Sequence, residues 1–263
     1  MIEARGLSAA YGDTPVLFDV SARFSAGRLT ALVGPNGCGK STFLKAIMNF
    51  VPVSGGAVTL DGEPILKIGR RKLARRLAYL PQESQCPDYM TLGELVELAG
   101  YSRYSLFGGP TEGDRELFQK ALGVVGLEGL AHRQVNRLSG GQRQRAFIAM
   151  ILAQDAGIVL MDEPVNHLDM TYQYATMSLV KDLTRDHGKT VITVLHDLNL
   201  TLAFADDVVM MREGRIVAAG PVRETVTPET VGAVFDLDAD IFERDGRLVC
   251  LPRMDARCRT LAA

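Results

Sequence analysis

The chain has 263 residues, of which 47% are hydrophobic and 23% charged, with a formal net charge of -2. That length can bury a sizeable core in one large domain, or in one domain with a subdomain. The balance of charge excludes a global basic field for gripping nucleic acid, and no apolar run reaches the roughly 18 residues that a membrane-spanning helix needs.

The first residues, Met1-Ile2-Glu3-Ala4-Arg5, lack the charged-then-apolar layout of a signal peptide, so the chain is expected to fold in the cytoplasm. Cys38, Cys86, Cys250 and Cys258 show no C-x-x-C spacing and are expected as free thiols. Ala4–Leu7 and Val16–Val20 read as short strands. Arg28–Val33 is a compact apolar run that ends in a glycine-rich turn, as expected of a buried strand feeding a helix. Ala57–Leu60 followed by Asp61-Gly62 reads as strand and turn. The basic clusters Arg70-Arg71-Lys72 and Arg75-Arg76 read as the wet face of a helix.

From about Thr91 to Val125 the pattern is helical, broken by Gly108-Gly109-Pro110. After it, Ile158–Met161 and Thr190–Leu195 are continuous apolar runs, expected of strands covered on both faces, with a helix from about Met170 to Arg185 between them. Alternation of this kind predicts a mostly parallel sheet. Val208–Met211 and Arg215–Ala218 read as two more strands, followed by a weaker helical tail.

Gly34-Pro35-Asn36-Gly37-Cys38-Gly39-Lys40-Ser41 matches G-x-x-x-x-G-K-[ST], the P-loop, with an apolar strand before it and an amphipathic helix from Thr42 after it. Glycines let the backbone wrap a phosphate, and the following helix adds its positive end. Lys40 is expected to reach the β- and γ-phosphates and the Ser41 hydroxyl to hold Mg²⁺. Cys38 is a small residue whose backbone matters. The apolar run to Met161 ends in Asp162-Glu163, where ligands of open parallel sheets gather. Asp162 is placed to hold Mg²⁺, and Glu163 to face an attacking water as general base.

Leu138-Ser139-Gly140-Gly141-Gln142 sets a good N-cap, Ser139, three residues before a glutamine, as in a capping box. A plain helix cap accounts for it. The double glycine also leaves a helix start bare enough to approach an anion, and one nucleotide does not easily use two helix N-termini distant in sequence unless the second belongs to another subunit.

Together, Gly34–Ser41, Leu138–Gln142 and Ile158–Glu163 resemble the nucleotide-binding subunit of ATP-binding cassette transporters, over nearly the whole chain. The resemblance implies an α/β P-loop NTPase: a mixed, mostly parallel sheet core, an antiparallel β subdomain and a helical subdomain at about residues 83–137, inserted in a single domain spanning residues 1–263. It implies that ATP and Mg²⁺ are bound, with Gly34–Thr42 on the nucleotide and Tyr11 stacked on adenine. Gln82 resembles the Q-loop glutamine that senses Mg²⁺ and the membrane partner, Asp169 in Leu168-Asp169 resembles the D-loop, and His196 resembles the switch histidine that contacts the γ-phosphate. Tyr11 and His196 each also have an ordinary structural reading.

Two copies are implied, packed head to tail, with Ser139, Gly140, Gly141 and Gln142 of one covering the ATP of the other. The partners implied are membrane permease subunits, at the cytoplasmic face of the cell membrane, and indirectly an extracytoplasmic substrate-binding protein. Thr91–Val96 with Gly100–Tyr104 resembles a stretch of iron-siderophore, haem and cobalamin importers, departing from it at Ser105. Asp114-Arg115, Ala131-His132-Arg133, Ala149–Asp155 and Leu195–Asn199 look like the ferric-siderophore branch. Two other classes stay open: a soluble cassette ATPase acting on nucleic acid or the ribosome, against which stand the single cassette and the lack of sustained heptads or C-x-x-C, and a P-loop kinase or GTPase, against which Leu138–Gln142 argues.

Overall fold

The structure, a computed structural model, describes residues 1–105, 108–166 and 168–253. Cys38, Cys86 and Cys250 are free thiols, and Cys258 lies outside the described residues. Among the described residues no helix is long and apolar enough to cross a membrane. The chain divides into two compact units, one formed by Met1–Pro64 with the chain from Thr193 onward, the other by Ile65–Ile192.

The first unit opens with β1 (Ile2–Tyr11) and β2 (Thr14–Phe24), an antiparallel hairpin. Ile2 and Ala4, then Leu7 and Ala9 beyond a register shift, are buried at alternate positions and give β1 one core face. Next comes β3 (Leu29–Val33), buried at every position, then α1 (Lys40–Ile47). After α1, β4 (Val53–Leu60) and the short β5 (Glu63–Pro64) complete an antiparallel sheet in the order β2-β1-β4-β5.

The second unit begins with α2 (Arg70–Ala74) and β6 (Leu77–Leu80). This strand was not anticipated, although Leu77, Ala78 and Leu80 form an apolar run. The wet-face reading of the basic cluster holds, since Arg70, Arg71, Lys72 and Arg75 are exposed. Arg71 donates to the Tyr104 carbonyl at 2.5 Å and Arg75 to the Ser102 carbonyl at 3.0 Å, so two of these cations hold down the helical segment that follows. That segment is α3 (Leu92–Glu97), a 3₁₀ turn over Leu98–Ser102, and α4 (Glu112–Val124). Each α-helix starts on a capping box, at Thr91 and Thr111. Arg103 fastens them to the end of α5 (Gly140–Ala153), donating to Asp114 at 2.7 Å and to the carbonyls of Ala153 and Gln154 at 2.9 and 2.8 Å. The wholly buried β7 (Ile158–Asp162) runs parallel to β6. Then come α6 (Met170–Arg185) and β8 (Thr190–Val194), whose last two residues belong to the first unit.

Back in the first unit, Leu195 donates from its backbone to Leu32 at 3.1 Å. Beyond it lie α7 (Leu198–Phe204), β9 (Asp207–Arg212) and β10 (Arg215–Pro221). β9 is parallel to β3 and antiparallel to β10. Arg28 grips Asp207 through Nε at 2.7 Å and Nη2 at 2.8 Å, fixing the start of β3 against the start of β9. The helical tail is only partly as expected. After α8 (Val222–Thr225) and α9 (Pro228–Phe235), the chain forms a hairpin of β11 (Ala239–Arg244) and β12 (Arg247–Pro252). Its turn is Asp245-Gly246, both at positive φ, 51° and 77°, a strong hairpin signal that the alternation around it should have raised.

Candidate nucleotide site

In the first unit, the buried end of β3 delivers the chain into the loop at Gly34. A Cβ there would lie 2.1 Å from the Met211 carbonyl oxygen, so only glycine lets the loop leave β3 this close to β9. Gly39 caps α1 with φ 102°, where a Cβ would come within 2.9 Å of Leu17. The tip residue Gly37 has φ 76° and open space on its Cβ side. The turn after β9 braces the loop, Gly214 donating to the Cys38 carbonyl at 3.0 Å. Lys40 is 5% exposed, and its ammonium donates to the carbonyls of Gly34 and Pro35 at 2.9 Å each.

The first turn of α1 carries no acidic side chain to offset its positive end. Pro35, Asn36, Gly37 and Cys38 line a cavity of about 280 Å³ together with Arg212, Glu213 and Asp236. Burial pushes the Cys38 thiol above its usual range, against the pull of Lys40, which suits a structural cysteine. Thr42 is buried behind the loop and Ser41 is half-buried. Tyr11, at the exposed end of β1, is 48% exposed. His196 is exposed between the end of β8 and Asp197, the N-cap of α7.

In the second unit, Asp162 ends β7 with 1% exposure, and the Tyr79 hydroxyl donates to it at 3.4 Å. Glu163 follows at φ 54°, a conformation uncommon for a side chain of this size. The adjacent carboxylates therefore keep different company. Oε2 of Glu163 accepts from the Gln82 carboxamide at 2.7 Å and from that of Asn166 at 2.9 Å. The structure thus brings Gln82 and Glu163 together, a pairing the sequence did not announce. Asn166 and Tyr79 were missed altogether. Their only signal is position, three residues after Glu163 and within a short apolar run.

Ser139 caps α5 as anticipated. Its hydroxyl accepts from the Gln142 backbone at 3.3 Å and Gln142 returns a carbonyl to the Ser139 N–H at 3.0 Å. Gly140 has open space, whereas a Cβ on Gly141 would meet the Tyr172 ring at 2.8 Å. Asp169 is the N-cap of α6, accepting from the Tyr172 backbone at 3.0 Å. Ser41 in the first unit, and Asp162 and Gln82 in the second, each carry hard oxygen donors of the type that suits Mg²⁺. Among the described residues no group of three or more His, Cys, Asp or Glu side chains could hold a metal ion.

Residues 17–166 match the family model described as ABC transporter. The chain is 37% identical to the "probable siderophore transport system ATP-binding protein YusV" of Bacillus subtilis, over 98% of this chain and 94% of that one. It is 39% identical to the ferric enterobactin transport ATP-binding protein FepC of Escherichia coli, over 90% of this chain and 88% of that one. Its fold is similar to the dimeric cassette MJ0796 in a post-hydrolysis state bound to ADP and Pi, with a TM-score of 0.73 and 27% identity over 85% of this chain and 99% of that one. The fold and its phosphate-cradling loop define a P-loop ATPase cassette. The chain belongs to the ABC transporter family, as one of its ATP-binding, ATP-hydrolysing subunits.

Proposed function

We propose that this chain powers the import of ferric siderophores, hydrolysing ATP in a head-to-tail dimer at the cytoplasmic face of the cell membrane. The observation that carries the substrate class is the likeness, over nearly the whole chain, to relatives named for siderophore and enterobactin transport. Its partners are membrane permease subunits, with an extracytoplasmic binding protein delivering the chelate to them. The helical segment at about residues 83–137 docks on the permease. Tyr89 and Tyr101, 84% and 71% exposed, support that reading as apolar surface on this segment.

In this reading ATP lies on Gly34–Thr42, with its adenine on Tyr11. Lys40 leaves its loop carbonyls for the β- and γ-phosphates, and His196 contacts the γ-phosphate. Ser41, Asp162 and Gln82 hold Mg²⁺, which when bound neutralises charge on the phosphates. Glu163 takes the proton of the attacking water, its carboxylate oriented by Gln82 and Asn166. Ser139, Gly140, Gly141, Gln142 and Asp169 act on the ATP of the other copy. Loss of the γ-phosphate lets the copies part, and the permease senses that change.

The test is uptake of radiolabelled ferric siderophore by cells whose only copy carries Glu163→Gln, against cells with the wild-type copy. The expected result is loss of that uptake while other nutrients enter normally. Unchanged uptake would overturn the assignment of substrate.

A further inference from the structure

The last segment of the chain reaches the neighbourhood of His196 through a side chain given no role so far. Asn199 lies three residues beyond His196, in the first turn of α7. Its carboxamide donates to the Cys250 carbonyl at 3.2 Å and accepts from the Cys250 N–H at 2.9 Å. A planar amide paired in both directions with a backbone peptide fixes orientation as well as distance. Cys250 is 4% exposed in the middle of β12, so neither of its backbone groups can turn to bulk water instead.

The hairpin is held to α8 at its turn and is closed on itself at its open end. Arg223 donates to Glu243 at 3.0 Å and to the Gly246 carbonyl at 2.8 Å, at the hairpin turn. At the other end Arg253 pairs with Asp240 and donates from its backbone to Asp238 at 2.8 Å. The turn that carries His196 is fixed on its upstream side, where Leu195 is bonded to Leu32. Downstream it depends on α7, a helix of seven residues, too short to persist without tertiary support. Asp197 caps that helix, accepting from Asn199 at 2.6 Å and Leu200 at 3.2 Å. The cap orders the turn locally, and Asn199 ties it to a separate element.

We infer that Asn199 is a positioning residue for His196, and that the C-terminal hairpin β11–β12 is the fixed surface against which it sets the histidine. The inference rests on the proposed contact of His196 with the γ-phosphate. Through Asn199 the C-terminal segment takes part in hydrolysis without touching nucleotide.

The experiment compares full-length wild type, Asn199→Leu, Asn199→Asp and His196→Ala. It reads kcat and KM for ATP and the ¹³C-histidine NMR spectrum, in which four histidines are distinguished. The aspartate is isosteric, keeps an acceptor for the Cys250 N–H and sets a carboxylate against the Cys250 carbonyl, so it serves if the leucine variant does not fold. The expected result is a kcat lower by about tenfold, a KM within about twofold of wild type, and a shift of the His196 ring signals alone. Wild-type kcat with unmoved His196 signals, while His196→Ala is inactive, would overturn the inference. So would a fall in kcat with KM and all the histidine signals moving together, which marks general loosening. Wild-type turnover in His196→Ala would instead sink the reading of the histidine itself.

Discussion

The Gln82 carboxamide donates to Oε2 of Glu163 at 2.7 Å, and Asn166 donates to the same oxygen at 2.9 Å. Two neutral donors on one carboxylate oxygen fix its direction without adding charge. Gln82→Leu removes the shorter bond and leaves the other. Hydrogen bonds to charged groups contribute about 1.5–3 kcal/mol, so kcat for ATP hydrolysis should fall by at least about tenfold. Steady-state kinetics of the isolated protein measure this, and an unchanged kcat would separate Gln82 from the chemistry.

Lys40 is the buried cation of the phosphate loop, held at 2.9 Å by two loop carbonyls. Lys40→Ala should weaken ATP binding by about 1.5–3 kcal/mol, the worth of a charge-assisted hydrogen bond to phosphate. Fluorescent-nucleotide titration reads it directly. Wild-type affinity would contradict the assignment of the loop.

Gly141 faces the Tyr172 ring across a gap that a methyl group does not fit, with a Cβ contact of 2.8 Å. Gly141→Ala should cost about 1–3 kcal/mol of stability through overpacking. Adding Tyr172→Ala should recover most of it, because the obstacle is that ring and the helical backbone at Gly141 accepts alanine. Thermal melts of the single and double variants test the pair.

Asp114 sits in the helical segment with Arg103 and the Thr111 cap on its carboxylate. Burial raises its pKa, but bonds from Thr111 and Arg103 more than offset this and leave the carboxyl below its usual value. A carboxyl depressed in the folded state contributes stability that is full above its unfolded value, about 3.9. That contribution fades as pH falls through the lower folded value. Asp114→Asn should therefore lower the melting temperature at neutral pH, and the gap to wild type should start to narrow below about pH 3.9 and close only below the folded value. A gap that persists in acid would assign the effect to packing.

The phosphate loop, the Asp162-Glu163 pair and the capped glycine motif were legible because each depends on local backbone demands: a turn only glycine makes, a strand end, a helix start. The strands that ran as continuous apolar blocks were legible for the same reason. What the sequence hid depends on tertiary pairing. Nothing near Arg71 or Arg75 foretells that their partners are carbonyls of residues about 30 positions on. Asn199 and Cys250, 51 residues apart, give no sign of each other. The last hairpin differs, since Asp245-Gly246 is a local turn signal that the sequence itself displays.

In the proposed function, Glu163 drives ATP hydrolysis in a dimer closed on nucleotide. The most direct test of that role is Glu163→Gln, with hydrolysis and ATP-dependent dimerisation measured on the same sample. Hydrolysis should fall by about 10²–10⁴-fold, the usual contribution of a general base, while ATP still binds and the protein accumulates as a dimer. Turnover at the wild-type rate, with no dimer formed on ATP, would contradict the account.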